Sequence, residues 1–194
     1  MSLSLLSLVA ALTVQISSAP DALGQSRKLT APESFSANAQ VTGSEGAAAT
    51  VVAMKVDRYS ADADRDAVAK ALTDGGYAAF LAALRKAPVV GTVTFAGQTF
   101  DIRWARQQPI ANGRMITLVT DKPIFFVGGG NVNAKPREGF DVALFKFKMD
   151  DGGVGFDGTM AAAANVKAGG ETGVQVGDYA DKPITLRTIT RAFN

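Results

Sequence analysis

The stretch TFDIRWARQQPIANGRMITLVT, residues 99–120, contains the strongest indication of fold in the chain. Its Asn112-Gly113 pair favours a type I′ hairpin turn, because both central residues of that turn need positive φ. The residues on either side are rich in the β-branched and aromatic side chains that strands prefer. We therefore predict that residues 99–106 and 115–120 are antiparallel neighbours in a sheet.

Further strands are predicted on both sides of this hairpin, where apolar and polar residues alternate. Short turns join most of them, so neighbouring strands should run antiparallel. Nine or ten such strands usually close into a barrel or split into two packed layers. The predicted fold is α+β and mainly β, an antiparallel barrel or a two-layer sandwich. The further predicted strands span residues 35–41, 49–59, 89–95, 124–127, 140–149, 154–166, 174–176 and 184–193.

The pattern changes to a helical period between the second and third predicted strands. Ser60 is positioned as the N-cap of a first helix, and the Gly-Gly pair at 75–76 as its end. The spacing of Tyr77, Phe80 and Leu84 predicts a second amphipathic helix. The sequence therefore predicts a helical hairpin inserted between strands two and three.

The first 24 residues have the composition of a secretory signal peptide. Residues 3–16 carry no charge and are too few for the roughly 20-residue helix that crosses a bilayer, but they suit an h-region. The small residues Ala22 and Gly24 place cleavage after Gly24. We expect a signal peptide at 1–24, a leader at 25–34 and one β-rich domain at 35–194, without a membrane span, in the periplasm or outside the cell. The alternative is that the segment is retained and packs on the domain.

The composition excludes several classes of chemistry. The chain of 194 residues has no His and no Cys, so it has no Ser-His-Asp or Cys-His nucleophile and no zinc or copper site of imidazoles or thiolates. We expect no cofactor. Its 20 basic and 18 acidic residues are evenly spread, which does not favour nucleic-acid binding. With 47% hydrophobic residues it should form a folded core.

One glycine-rich run suggests a metal site. Residues 152–160, GGVGFDGTM, fit most of the calcium-binding nonapeptide of repeat-in-toxin β-helices, which makes Asp150, Asp151 and Asp157 weak candidate ligands. That architecture takes its ligands from tandem copies, and this sequence has one copy. A hairpin turn followed by a glycine-kinked strand is the favoured interpretation, and no metal is expected.

Two sets of apolar side chains suggest either a core or a cavity. Phe100, Ile102 and Trp104 share one predicted strand face, and Phe145 and Phe147 share another. Core packing is favoured, with Trp104 buried. The functional alternative is that these residues line a barrel cavity for a small apolar ligand.

The stretch MITLVTDKPI at 115–124, with DGTM at 157–160 and PITL at 183–186, resembles uncharacterised exported bacterial proteins of similar size. The resemblance implies export but no particular activity. We expect a non-enzymatic protein of the cell envelope or extracellular space that acts by protein interaction or self-assembly. The alternative is a carrier of a small apolar ligand. A carboxylate-based glycoside hydrolase is less favoured, because the Glu residues beyond position 33 lie in predicted loops.

Overall fold

The computed structural model describes residues 31–43, 46–124, 137–170, 173–180 and 182–192. The predicted signal peptide and residues 125–127 of the predicted strand at 124–127 lie outside these ranges, and Ile124 itself is not in a strand. Nine strands and one helix are formed by the described residues. They are β1 (Glu33–Gly43), β2 (Gly46–Val56), α1 (Asp62–Lys86), β3 (Gly91–Phe95), β4 (Gln98–Ile110), β5 (Gly113–Thr120), β6 (Val142–Met149), β7 (Val154–Ala168), β8 (Val174–Tyr179) and β9 (Ile184–Ala192).

The sheet closes into an antiparallel barrel. Its strand order is β6-β5-β4-β3-β2-β1-β9-β7-β8, and a further pairing of β6 with β7 completes a ring of eight strands. β8 stays outside the ring and pairs with the C-terminal part of β7. The predicted pairing of β4 with β5 is confirmed, since they pair down to Ile110 and Gly113. The predicted type I′ turn is wrong, because the two residues between the strands are Ala111 and Asn112, and neither has positive φ. Gly113 has φ 124°, and a Cβ there would lie 2.1 Å from the Met149 carbonyl oxygen, so the turn requires glycine.

The barrel interior is the main hydrophobic core. Along β6 the side chains alternate, so that Phe145, Phe147 and Met149 are buried while Lys146 is exposed. Phe35 from β1 meets Phe147 edge to face, with 5.3 Å between ring centroids. The largest interior side chains are Phe35, Met54, Phe95, Ile102, Ile116, Leu118, Phe145, Phe147, Met149, Met160 and Ile189.

The predicted helical hairpin is wrong, because α1 is a single helix over Asp62–Lys86 with a kink at Gly76. Gly76 has φ 70° and ψ −164°, which interrupts the helix. Both halves of α1 pack on the same side of the barrel, since Val68 and Leu72 before the kink and Phe80 and Leu84 after it belong to one hydrophobic cluster. The N-cap is Ala61 and not Ser60 as predicted. The Ser60 hydroxyl instead accepts a 3.0 Å hydrogen bond from the Ala105 amide.

α1 and β8 form an outer layer over one side of the barrel. The Tyr77 hydroxyl anchors the second half of α1, since it accepts a 2.8 Å hydrogen bond from the Asp141 amide, and burial raises its pKa to about 12. Among the described residues, no helix is long and apolar enough to cross a membrane. The outer layer buries Val68, Leu72, Phe80 and Leu84 of α1 against Trp104, Val119, Val142, Leu144, Val166 and Val174.

A β-bulge in β4 separates Trp104 from its predicted neighbours. Ile102 pairs with Thr120, and Trp104 pairs with Val119, so Arg103 is an extra residue on β4. A bulge of this kind reverses the side of the sheet on which the following side chains lie. Trp104 is buried, but it belongs to the outer layer, whereas Ile102 lies in the interior. The prediction that they share one face is therefore wrong.

Candidate functional site

The three predicted metal candidates do not form a metal site. Asp150 accepts a 2.8 Å hydrogen bond from the Val154 amide and so holds the β6–β7 turn, in which Asp151 is exposed. Asp157 pairs with the ammonium of Lys148 at 2.8 Å. Within the described ranges, no group of three or more His, Cys, Asp or Glu residues could hold a metal ion. The Asp150 carboxylate therefore stabilises a turn, and the Asp157 carboxylate forms a surface ion pair.

The predicted cavity residues are divided between two places. Ile102, Phe145 and Phe147 meet inside the barrel, each with no exposed surface, and Phe100 packs against them while half-buried. Trp104, 1% exposed, lies on the other side of the wall. Because a side chain next to a water-sized space would show exposed surface, the interior around Ile102, Phe145 and Phe147 is filled by side chains.

A polar cavity of about 220 Å³ lies instead on the outer wall of the barrel, beneath β8. We call it the Thr117 cavity. Its barrel side comes from β5, β6 and β7, and its cover from the β7–β8 hairpin. It is lined by Thr117, Leu144, Lys146, Thr159, Gly170, Val174, Gln175, Val176 and Tyr179.

The cavity exists because β7 changes its partner along its length. Up to Met160, β7 pairs with β9. From Ala164 onward it pairs with β8, and its register with β6 ends at Ala164, so β7 leaves the ring beyond this residue and its hairpin covers the outer wall. The hairpin tip reaches α1, since a Cβ on Gly173 would lie 3.5 Å from the Cβ of Ala69. The Gln175 amide lies against the tip, 2.6 Å from the position of a Cβ on Gly169.

Thr117 is the most unusual residue of the cavity. It is 2% exposed, and its hydroxyl has no hydrogen-bond partner among the described residues. A buried hydroxyl without a partner costs about 1–3 kcal/mol of folding free energy. Most buried polar groups in proteins are paired, so an unpaired one requires a reason.

Two basic residues flank Thr117 on the same face of the sheet. Register places Arg106 of β4 on one side and Lys146 of β6 on the other. Burial, followed by repulsion from Arg65, lowers the pKa of Arg106. The described lining residues include Lys146 and no Asp or Glu, so the unpaired hydroxyl lies in a locally basic environment.

A second, more open groove adjoins the Thr117 cavity and shares Thr159 with it. It measures about 650 Å³ and lies where the β7–β9 ladder is interrupted between Gly155 and Gly158. Asp157 and Thr188 line it with φ of 49° and 50°. A β-branched residue at positive φ is strained, and such strain often accompanies functional sites. Phe156, 40% exposed, adds an apolar side chain to this groove.

Sequence reasoning did not identify Thr117, Gln175 or Tyr179. The alternation along residues 145–149 indicates that Lys146 faces outward, and pairing with β5 then places Thr117 beside it. No local pattern shows that β8 folds over this wall, because the cover depends on β7 leaving the ring. The cavity is therefore a product of tertiary structure.

Comparisons with protein-family models, with curated proteins and with solved structures find no match to this chain. Its function is therefore inferred from its own residues and their geometry.

Proposed function

We propose that this chain is an exported, non-enzymatic binding protein that holds a small ligand in the Thr117 cavity, on the outer wall of its barrel. The observation that carries the proposal is the buried Thr117 hydroxyl, which has no partner among the described residues. This oxygen is almost fully covered, so a ligand reaches it only when the β8 cover moves aside, and a hydrogen bond formed there would offset the cost of burying the hydroxyl.

Two features of the sequence support the remaining parts of the proposal. Export is supported by the uncharged residues 3–16, which suit an h-region, and by the resemblance to exported bacterial proteins. A non-enzymatic role is supported by the lack of His and Cys in the chain. The described lining of the cavity also holds no carboxylate that would act as a general base.

The alternative of an apolar carrier receives less support. Phe145 and Phe147 have no exposed surface in the interior, and a ligand placed beside them would have to displace packed side chains. An eight-stranded barrel encloses either side chains or one small ligand. The filled interior around these two residues favours side chains.

The second candidate function is protein interaction, and two exposed apolar residues favour it. Val154 is 57% exposed and Phe156 is 40% exposed, and both lie at the start of β7. Self-association through β8, the last strand in the sheet order, is less favoured. β8 has six residues and includes Gly177 and Asp178, and short edge strands with charged residues discourage pairing between chains.

The test is methyl NMR on the full chain during a screen of small polar molecules. We expect a binding molecule to shift the methyl signals of Leu144, Val174 and Val176, which line the cavity. The methyls of Ile116 and Leu118, inside the barrel, serve as the internal control. Shifts confined to the interior methyls would favour the apolar carrier. A screen without shifts at the cavity methyls would contradict the proposal.

A further inference from the structure

The volume of the Thr117 cavity limits its ligand. A space of 220 Å³ corresponds to roughly seven water molecules at about 30 Å³ each. It is smaller than the cofactor and drug sites of about 300–1,000 Å³. The cavity itself therefore holds a molecule of roughly six to nine non-hydrogen atoms, and a nucleotide, a flavin or a long-chain lipid would extend beyond it.

The charges around the cavity favour an anionic group on that ligand. Lys146 lines the cavity next to Thr117, and its ammonium forms no ion pair with any described residue. Arg106 lies on the other side of Thr117, where Asp62 and Asp66 of α1 offset part of its charge. A carboxylate beside Lys146 would also accept a hydrogen bond from the Thr117 hydroxyl, and bonds to charged groups are the stronger ones.

Apolar side chains on both the barrel side and the β8 cover favour a hydrocarbon part on the same molecule. Leu144 from β6 and Val174 and Val176 from β8 present apolar surface to the cavity. A compact inorganic anion would lose hydration against these side chains and would gain no hydrogen bond from them, which costs free energy. A ligand with one charged end and one apolar end would contact both the basic and the apolar residues of the cavity.

We infer that the ligand is a small organic carboxylate with a short, branched or cyclic hydrocarbon part. The carboxylate lies between the Thr117 hydroxyl and the Lys146 ammonium, and the hydrocarbon contacts Leu144, Val174 and Val176. This inference rests on the proposed function, because it assigns a chemical class to the ligand of the same cavity.

The experiment is calorimetric titration of the full chain at pH 7 with three probes. These are 4-methylpentanoate, its neutral amide 4-methylpentanamide, and inorganic phosphate. We expect the carboxylate to bind with a Kd of roughly 1 mM or tighter, and the amide and phosphate to bind at least tenfold more weakly. Added salt should weaken binding of the carboxylate, because it screens the attraction to Lys146.

Two variants test the assigned contacts. Thr117→Val removes the hydroxyl at nearly constant volume, and Lys146→Met removes the charge, so each should weaken binding of 4-methylpentanoate at least tenfold. The matched controls Thr190→Val and Lys182→Met change exposed residues outside the described lining and should leave Kd unchanged. Thr117→Val should melt at the same or a higher temperature than the wild type, because it removes a buried unpartnered group. Weaker binding by this variant is then not a result of unfolding.

The outcomes separate this inference from the proposed function. If the amide binds as tightly as the carboxylate and shifts the methyls of Leu144 and Val174, the cavity binds small molecules but the carboxylate assignment is wrong. Phosphate binding as tightly as 4-methylpentanoate would overturn the hydrocarbon assignment. If a different small molecule shifts these methyls while 4-methylpentanoate does not, the inference alone fails. If no molecule shifts them, the proposed function fails as well.

Discussion

Arg114 and Glu33 form a bidentate ion pair at one end of the barrel, with both nitrogen–oxygen distances 2.7 Å. Glu33 begins β1 and Arg114 lies at the start of β5, so the pair crosses the barrel between distant strands. The Tyr59 hydroxyl donates to the same carboxylate at 2.6 Å, and Arg191 approaches it at 2.9 Å. Burial alone would raise the pKa of Glu33, but hydrogen bonds from Arg114 and Tyr59 and the charges of the two arginines hold this pKa below 4.5.

Replacing this carboxylate should destabilise the fold strongly. Glu33→Gln leaves the buried Arg114 without its counter-charge, and breaking a buried pair in this way costs about 3–5 kcal/mol. Urea unfolding at pH 7 measures the loss. Glu138→Gln, which changes an exposed carboxylate, should leave the free energy of unfolding nearly unchanged.

The same pair should make stability depend on pH in the acid range. Because the folded pKa of Glu33 is depressed, its contribution is fully present above the unfolded value of 4.5 and is lost as pH falls through the folded pKa. The difference in melting temperature between wild type and Glu33→Gln should therefore shrink below pH 4.5. A difference that stays constant from pH 7 to pH 3 would contradict this assignment.

Trp104 should behave as a structural residue of the outer layer. Trp104→Ala removes a large side chain that is 1% exposed, and we expect a loss of about 3–5 kcal/mol. Trp104→Phe should cost less, because the indole nitrogen has no hydrogen-bond partner among the described residues. The wild-type fluorescence should be blue-shifted and resistant to iodide. Strong quenching by iodide would place Trp104 at the surface and refute the packing.

Replacing either of two glycines of β7 by alanine should destabilise the fold, because each added Cβ would meet a different atom of Ile189. A Cβ on Gly158 would lie 2.4 Å from the Cδ1 of Ile189, and a Cβ on Gly155 would lie 2.4 Å from the Cβ of Ile189. Each alanine should destabilise the barrel by about 1–3 kcal/mol through overpacking. Ile189→Val removes Cδ1 alone, so it should partly rescue Gly158→Ala but not Gly155→Ala. A double-mutant cycle by urea unfolding measures this coupling, and equal rescue of both would contradict the geometry.

Gly76 should be required for the kink in α1. Its φ of 70° with ψ of −164° lies in a region that is essentially restricted to glycine. Gly76→Ala meets no nearby atom, so only the backbone opposes it. We expect a loss of about 1–3 kcal/mol, measured by thermal unfolding followed by circular dichroism. A variant as stable as the wild type would show that the kink is not needed.

Local pattern was sufficient for the nine strands that the structure describes and for the position of the hairpin between β4 and β5, but not for the type of its turn. It was not sufficient for two further features. The run Ile102-Arg103-Trp104 has no local feature that marks a bulge, so simple alternation placed Ile102 and Trp104 together. The glycine pair at 75–76 was interpreted as the end of a first helix, and the helix is indeed interrupted at Gly76. Local pattern could not show that both halves pack in one cluster as a single kinked element.

The candidate site was less predictable than the fold. Its polar residues come from β5, β6 and the β7–β8 hairpin, and a cavity between them requires long-range pairing. The aspartates at 150, 151 and 157 were candidate ligands because a short calcium-binding motif contains Asp157 and directly follows the other two. The feature that distinguishes Thr117 is that its hydroxyl has no hydrogen-bond partner among the described residues. The sequence cannot show this.

The change of partner along β7 has a consequence for how the molecule opens. Its first part is held in the ring by β9, while its last part is held by β8 against the outer layer. Amide protons of residues 164–168 and of β8 should therefore exchange through a local opening that leaves the ring intact, since proteins open in cooperative units of this size. A molecule bound in the Thr117 cavity would touch both units. It should therefore slow hydrogen exchange in β8 more than in β2 or β3, because ligand binding stabilises the closed state by mass action.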